Sequence, residues 1–259
     1  MRTVQRQKII TAGDYVDIEI YPVSQKSRRG IKRAPKQKPS RKEQIKLNLQ
    51  NARKKLFYLI HANFGASDRH LTLTYDDGYC PETPEQAKRD FENYIDRLRR
   101  VFKKANATLK YVAIIESGET GRLHHHVIIS GAVGADALID LWGHGYANAD
   151  RLQMRKDHLM GLVNYVTKDA AGKKRWSCSR GLVRPWTTPE IKDNAVSKKT
   201  VKSMVQNFDD ADYFKKLFPG YDYVFCVARK NEYIRGDYVY LRLHKIAQKT
   251  GAKNEKRFY

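Results

Sequence analysis

Residues 111–130 read YVAIIESGETGRLHHHVIIS: an apolar run ending in Glu116, a polar segment with Gly118 and Gly121, then His124, His125 and His126 leading into Val127, Ile128 and Ile129. Two β-favouring runs around a glycine-bearing polar segment predict a β-hairpin. Side chains alternate along a strand, so His124 and His126 share one face, about 7 Å apart along the backbone, and His125 points to the other. Two imidazoles so placed can converge on one metal ion.

Outward from this hairpin, the segment before it reads HLTLTYDD from His70. The alternating β-favouring residues Leu71 to Tyr75 predict a strand of the principal sheet, ended by Asp76, Asp77 and Gly78. Between the two lies the clearest amphipathic helix of the chain. Thr83, Pro84 and Gln86 offer an N-cap, a first-turn proline and the last member of a capping box. Phe91, Tyr94, Ile95, Leu98, Val101 and Phe102 form its apolar stripe, which should pack on the sheet. After the hairpin, residues 135–142 read as a short helix and residues 143–151 as a turn and a short strand. A second amphipathic helix is expected over residues 155–169, with Leu159, Leu162, Val163 and Val166 buried. At about 100° per residue, Tyr165 and Lys168 lie about 60° apart on its flank. That flank presents a phenol and an ammonium side by side.

In the N-terminal part, DYVDIEIYPVS reads as an edge strand, belonging to the main sheet or pairing with the far C-terminus. Residues 27–46 are basic at nearly every second position, and read either as a solvated linker or as an arm for DNA phosphates. Residues 40–63 predict a helix with Ser40 as N-cap. At the other end, residues 198–218 look helical, and YDYVFCVA and DYVYLRLHKI look like two strands, forming a small α+β appendage or completing the main sheet.

Composition narrows the partner. Of 259 residues, 50 are Lys or Arg and 28 Asp or Glu, a net charge of +22 that exceeds what solubility needs and points to a polyanion, with nucleic acid ahead of an anionic surface. No apolar run approaches the roughly 20 residues of a membrane span, and the first residues lack the apolar centre of a signal peptide, so a cytoplasmic protein without a membrane partner is expected. Cys80, Cys178 and Cys226 are widely spaced and fit neither a disulfide framework nor a CxxC zinc site, so they read as reduced thiols. No GxxxxGK[ST] phosphate loop is present.

The order of three elements carries more information than any one of them: LTLTY (residues 71–75), Glu116 followed by His124-x-His126, and Tyr165-x-x-Lys168. Together they resemble the HUH endonuclease superfamily, and within it the rolling-circle replication initiator (Rep) proteins of phages and plasmids. LWGHG (residues 141–145) and SRGLVRP (residues 179–185) also look like segments of phage-type Rep proteins, and the resemblance covers about residues 68–186. It implies His124 and His126 as metal ligands, Glu116 as the third, Tyr165 as a single catalytic nucleophile, and Lys168 as the group that stabilises charge on phosphate. Family members usually carry a bulky hydrophobic residue where His125 stands. Whether His125 or Glu119 contributes to the metal site is therefore open at this point, although strand alternation favours His124 with His126.

Imidazoles with a carboxylate and open positions suit Mg²⁺ or Mn²⁺, the pair that the resemblance also implies. The fold expected is α+β: a mainly antiparallel five-stranded sheet with packed helices and a C-terminal extension. The expected organisation is an N-terminal strand, basic linker and helix (residues 1–67), an HUH nicking domain (68–186), and a C-terminal helix with strands of unassigned role (187–259). The implied activity is nicking and joining of single-stranded DNA at a replication origin through a 5′-phosphotyrosine, starting rolling-circle replication in a bacterial host cell alongside host helicase and polymerase. A single-tyrosine relaxase or transposase is the alternative within the same chemistry; a basic DNA-binding protein without cleavage is the alternative outside it. Trp176, Arg180 and Arg184, with Trp186 nearby, are candidates for stacking bases and meeting phosphates.

Overall fold

The computed structural model of the chain describes residues 3–24, 42–117, 121–154, 163, 176–230 and 236–246. The chain forms two compact units, a central one over Leu49–Val183 and a terminal one that joins Met1–Asn48 to Arg184–Tyr259. Each contains a five-stranded sheet whose pairings are all antiparallel. The architecture is thus the expected α+β class, and it is consistent with an HUH-type fold.

In the central unit the strands are β3 (Arg69–Leu73), β4 (Tyr111–Ser117), β5 (Leu123–Ile129), β6 (Ala147–Arg151) and β7 (Ser177–Cys178), in the spatial order β6-β3-β5-β4-β7. The predicted hairpin is β4 and β5, and it lies inside the sheet. Period-two alternation divides the sheet into two faces. Leu71, Leu73, Ala113, Leu123, Val127 and Ile129 lie on one and pack in a single core with Phe91, Tyr94, Ile95, Leu98 and Phe102 of helix α2 (Pro84–Lys104). Each large apolar side chain fully buried there contributes about 1.5–3 kcal/mol.

Helix α2 begins where its sequence says it should. The Thr83 hydroxyl accepts from the Gln86 amide N–H at 3.2 Å, and the Gln86 side-chain oxygen accepts from the Thr83 N–H at 3.2 Å, so both halves of the capping box are formed. Helix α3 spans Ala135–Asp140 and stops two residues short of the predicted Trp142. Its end is closed by α2, whose Arg97 guanidinium donates to the carbonyls of Leu141 and Trp142 at 3.1 and 3.2 Å, supplying donors that a helix terminus lacks. The Trp142 indole N–H donates to the Thr74 carbonyl at 2.6 Å, tying this corner to the end of β3. Beyond β3 the ladder continues irregularly, through Thr74 N–H to Tyr146 O and Asp76 N–H to His144 O. Gly145 permits that approach: its φ is +148°, and a Cβ there would stand 2.5 Å from the Asp76 nitrogen.

In the terminal unit the strands are β1 (Thr3–Ala12), β2 (Tyr15–Ser24), β8 (Glu190–Asp193), β9 (Tyr221–Lys230) and β10 (Asp237–Lys245), ordered β8-β1-β2-β10-β9. The edge-strand reading of DYVDIEIYPVS is therefore corrected. β2 is the middle strand, with β1 and β10 on its two sides, and Ile18 faces Leu241 across the β2–β10 pair. Of the two pairings left open for this segment, the one with the far C-terminus is formed. Strand β1 was not foreseen, because TVQRQKIITA alternates with glutamines rather than apolar residues at the inward positions Gln5 and Gln7, both of which are buried. The predicted helix over 198–218 is two helices, α4 (Lys198–Gln206) and α5 (Ala211–Leu217). They are parted because the Asn207 amide donates back to the Ser203 carbonyl while the Asp210 carboxylate caps the new helix at the Tyr213 N–H. Val201, Met204 and Phe214 of these helices pack with Ile18, Ile20, Val239 and Leu241 of the sheet.

Helix α1 (Lys42–His61) matches the predicted 40–63 helix, with Leu56, Phe57, Leu59 and Ile60 buried. Among the described residues no helix is long and apolar enough to cross a membrane. Cys80, Cys178 and Cys226 are free thiols, and burial pushes the Cys226 thiol up to about 12.

Candidate metal centre

The register of the β4–β5 hairpin builds the centre. Glu116 stands directly opposite His124, and Ile114 opposite His126, so the carboxylate is the cross-strand neighbour of one imidazole and the diagonal neighbour of the other. All three side chains leave the sheet on the face away from α2. A Glu116 carboxylate oxygen lies 3.3 Å from Nε2 of His124 and 3.0 Å from Nε2 of His126. One ligand atom from each residue falls within 4.8 Å of the other two. Glu116 and His126 are each 6% exposed, and His124 is half-buried.

The donor set fits a divalent ion. Ligands about 2.1 Å from a common ion at right angles to one another are about 3 Å apart, the spacing seen from Glu116 to both histidines. A buried carboxylate is costly unless a positive charge compensates it, and a dication held by two neutral imidazoles does so. The His126 imidazole is in the form that binds metal. Burial, reinforced by the charges of His70 and His124, pushes the His126 pKa down to about 3, so the ring is neutral at physiological pH and keeps a lone pair.

His125 belongs to the other side of the sheet. It is fully buried in the core under α2, its ring stacked on Phe91 at 5.2 Å between centroids and edge-on to Trp142 at 5.4 Å. Its Nε2 lies 2.9 Å from the Tyr75 hydroxyl. Burial first, then the charges of His124, His126 and His144, push its pKa down to about 3. It takes the place of the usual bulky hydrophobic residue as a neutral aromatic.

A further histidine, not foreseen as part of the site, joins from β3. Thr72 pairs with His126 and His70 with Ile128, so His70 shares the ligand face. Its Nε2 is 3.2 Å from Nδ1 of His126, and the two rings stack at 5.4 Å with an interplanar angle of 16°. The alternation from Thr72 back to His70 was readable in the sequence; the pairing of β3 against β5 rather than β4 was not.

Residues 68–170 match the family of the replication-associated protein ORF2. The match begins at the residue where the motif resemblance begins and spans all three motifs, and it is consistent with a rolling-circle Rep protein of the phage or plasmid type. No curated protein and no solved structure matches the chain.

The expected nucleophile Tyr165 and its neighbour Lys168 lie outside the described residues, as do Glu119 and residues 27–41 of the basic segment. From the expected 155–169 helix, Val163 is described; it is helical and fully buried. Of the expected DNA contacts, Trp176 is half-buried just before β7, Arg180 is exposed, and Arg184 is exposed in the terminal unit, beside a half-buried Trp186.

Proposed function

We propose that this chain is a metal-dependent DNA nickase and strand transferase that starts rolling-circle replication of a phage or plasmid in a bacterial cell. The observation that carries the proposal is the convergence of Glu116, His124 and His126 on one buried point, within a region that matches a replication-associated family. The net charge of +22 supports single-stranded origin DNA as the partner.

In this reading Glu116, His124 and His126 hold Mg²⁺ or Mn²⁺. Bound there, the ion supplies Lewis-acid stabilisation of the scissile phosphate. The Tyr165 phenolate oxygen attacks phosphorus, the P–O3′ bond breaks, and the departing 3′ oxygen takes up a proton to become the 3′-OH that primes synthesis. The 5′ phosphate stays on Tyr165 as a phosphodiester, and attack by a later 3′-OH reverses the step, which is why rejoining needs no ATP. Lys168 offsets the added negative charge on phosphate. Arg180 and Arg184 meet the backbone and Trp176 stacks a base. Host helicase and polymerase would take over from the free 3′-OH.

The test is incubation of the purified full chain with single-stranded DNA bearing origins found beside its coding region, in Mn²⁺. Wild type is expected to form a covalent protein–DNA adduct that resists denaturing electrophoresis, and Tyr165→Phe to form none. An adduct in Tyr165→Phe would overturn the nucleophile; absence of any wild-type adduct on such origins would overturn the nicking chemistry.

A further inference from the structure

The 3.2 Å approach of His70 Nε2 to His126 Nδ1 is a hydrogen bond between two imidazoles, and it needs one proton between them. That proton belongs to one ring or the other. If His70 donates from Nε2, then Nδ1 of His126 is the bare nitrogen and its Nε2 carries the proton. Yet Nε2 is the nitrogen turned toward the cluster, 3.0 Å from the Glu116 carboxylate, and a protonated Nε2 cannot coordinate an ion there. If instead His126 donates from Nδ1, its Nε2 keeps the lone pair and faces the ligand point.

We infer that His70 is a positioning residue of the metal centre: its Nε2 accepts the Nδ1–H of His126, fixing the tautomer and ring orientation in which His126 Nε2 can bind an ion. The inference rests on the metal reading of Glu116, His124 and His126. Two features of the fold make the arrangement rigid. His70 is carried on β3, paired directly to β5, so both rings project from adjacent strands of one sheet. The rings also stack almost parallel, with 16° between their planes, which limits rotation of the His126 ring about its Cβ–Cγ bond. A ligating histidine commonly gives its second N–H to a carboxylate or carbonyl. Here a neutral acceptor does that work, and it adds no negative charge beside Glu116, so an ion in the centre keeps more of its positive charge for a phosphate.

The experiment measures Mn²⁺ binding by calorimetry on the chelator-stripped full chain, for wild type, His124→Ala, His70→Phe and His70→Gln. Phenylalanine keeps a stacked ring but accepts no hydrogen bond; glutamine restores an acceptor oxygen. His124→Ala should lose binding, His70→Phe should bind about 10–100-fold more weakly, and His70→Gln should recover most of that loss. A second measurement stands apart from affinity and from any misfolding of a variant. With Zn²⁺ as a diamagnetic probe, the wild-type ¹⁵N spectrum should show a slowly exchanging proton on Nδ1 of His126. Wild type that binds neither ion overturns the metal reading, and this inference with it. Wild type that binds, together with a folded His70→Phe of unchanged affinity or a His126 Nδ1 without a proton, overturns the role of His70 alone.

Discussion

The Tyr75 hydroxyl meets Nε2 of His125 at 2.9 Å, on the opposite side of the sheet from Glu116. This contact divides the triple histidine into two functions. His124 and His126 face the carboxylate, whereas His125 is a core residue with its own polar partner. Single substitutions should therefore separate. His124→Ala and His126→Ala are each expected to abolish Mn²⁺ binding in calorimetry. His125→Leu should retain it, at a stability cost of about 1 kcal/mol for the lost Tyr75 hydrogen bond, since the hydroxyl keeps the Ala87 carbonyl at 3.5 Å, read from urea unfolding. Equal loss of binding in all three would contradict the two-face assignment.

Burial of neutral His125 also sets a pH dependence. Its folded pKa of about 3 lies below the unfolded value of about 6.5. The unfolded chain takes up a proton below pH 6.5 that the folded chain declines, so the stabilisation is complete above pH 6.5 and declines as pH falls toward 3. The slope approaches about 1.4 kcal/mol per pH unit for each such histidine. Buried His126 adds the same effect while a chelator keeps the centre free of metal. Urea midpoints in EDTA should fall between pH 7.5 and pH 5, and His125→Leu should fall less steeply. Parallel slopes would show that His125 is not a buried neutral base.

In the terminal unit, Arg242 donates to both carboxylate oxygens of Asp17 at 2.7 and 2.8 Å, and each residue is 1% exposed. Tyr240 completes the group through its hydroxyl. Removing one partner leaves a buried charge uncompensated, so Asp17→Ala or Arg242→Ala should each cost about 3–5 kcal/mol. The double replacement Asp17→Leu with Arg242→Met should cost less than the sum of the two. A strictly additive result in denaturant unfolding would contradict the pairing.

Gly145 offers a backbone test next to the site-bearing sheet. At φ +148°, with the Asp76 nitrogen 2.5 Å from an added Cβ, Gly145→Ala should displace the Asp76–His144 contact. A loss on the order of 1–3 kcal/mol is expected from such strain, measured by thermal unfolding. Gly121→Ala, whose φ is +78° with open space around the added Cβ, should cost less, on the order of 1 kcal/mol.

Much of the central unit is written locally. The alternation in LHHHVII, the capping box at Thr83 and the stripe from Phe91 to Phe102 are each set by neighbours within a few residues, so the hairpin and α2 could be read directly. In the terminal unit β2, β9, β10 and the helical region could be read too, but which of the two pairings β2 takes could not, because the β2–β10 pair joins residues more than two hundred positions apart. Ile18 against Leu241 leaves no periodic trace in either segment. β1 was hidden for a related reason: its inward Gln5 is satisfied by a distant partner, the side chain donating to the Asp237 carbonyl.

For the site, sequence alone determined that two histidines of three share a face, because alternation is a property of any strand. It also set Glu116 within a hairpin's reach of them. Only the tertiary structure decided the register that puts Glu116 opposite His124, the core contacts with Phe91 and Tyr75 that bury His125 on the opposite face, and the arrival of His70 on the neighbouring strand. Those depend on which strands pair and on what packs against each face, and that choice is made by the free energy of burying the whole sheet rather than by any one segment of it.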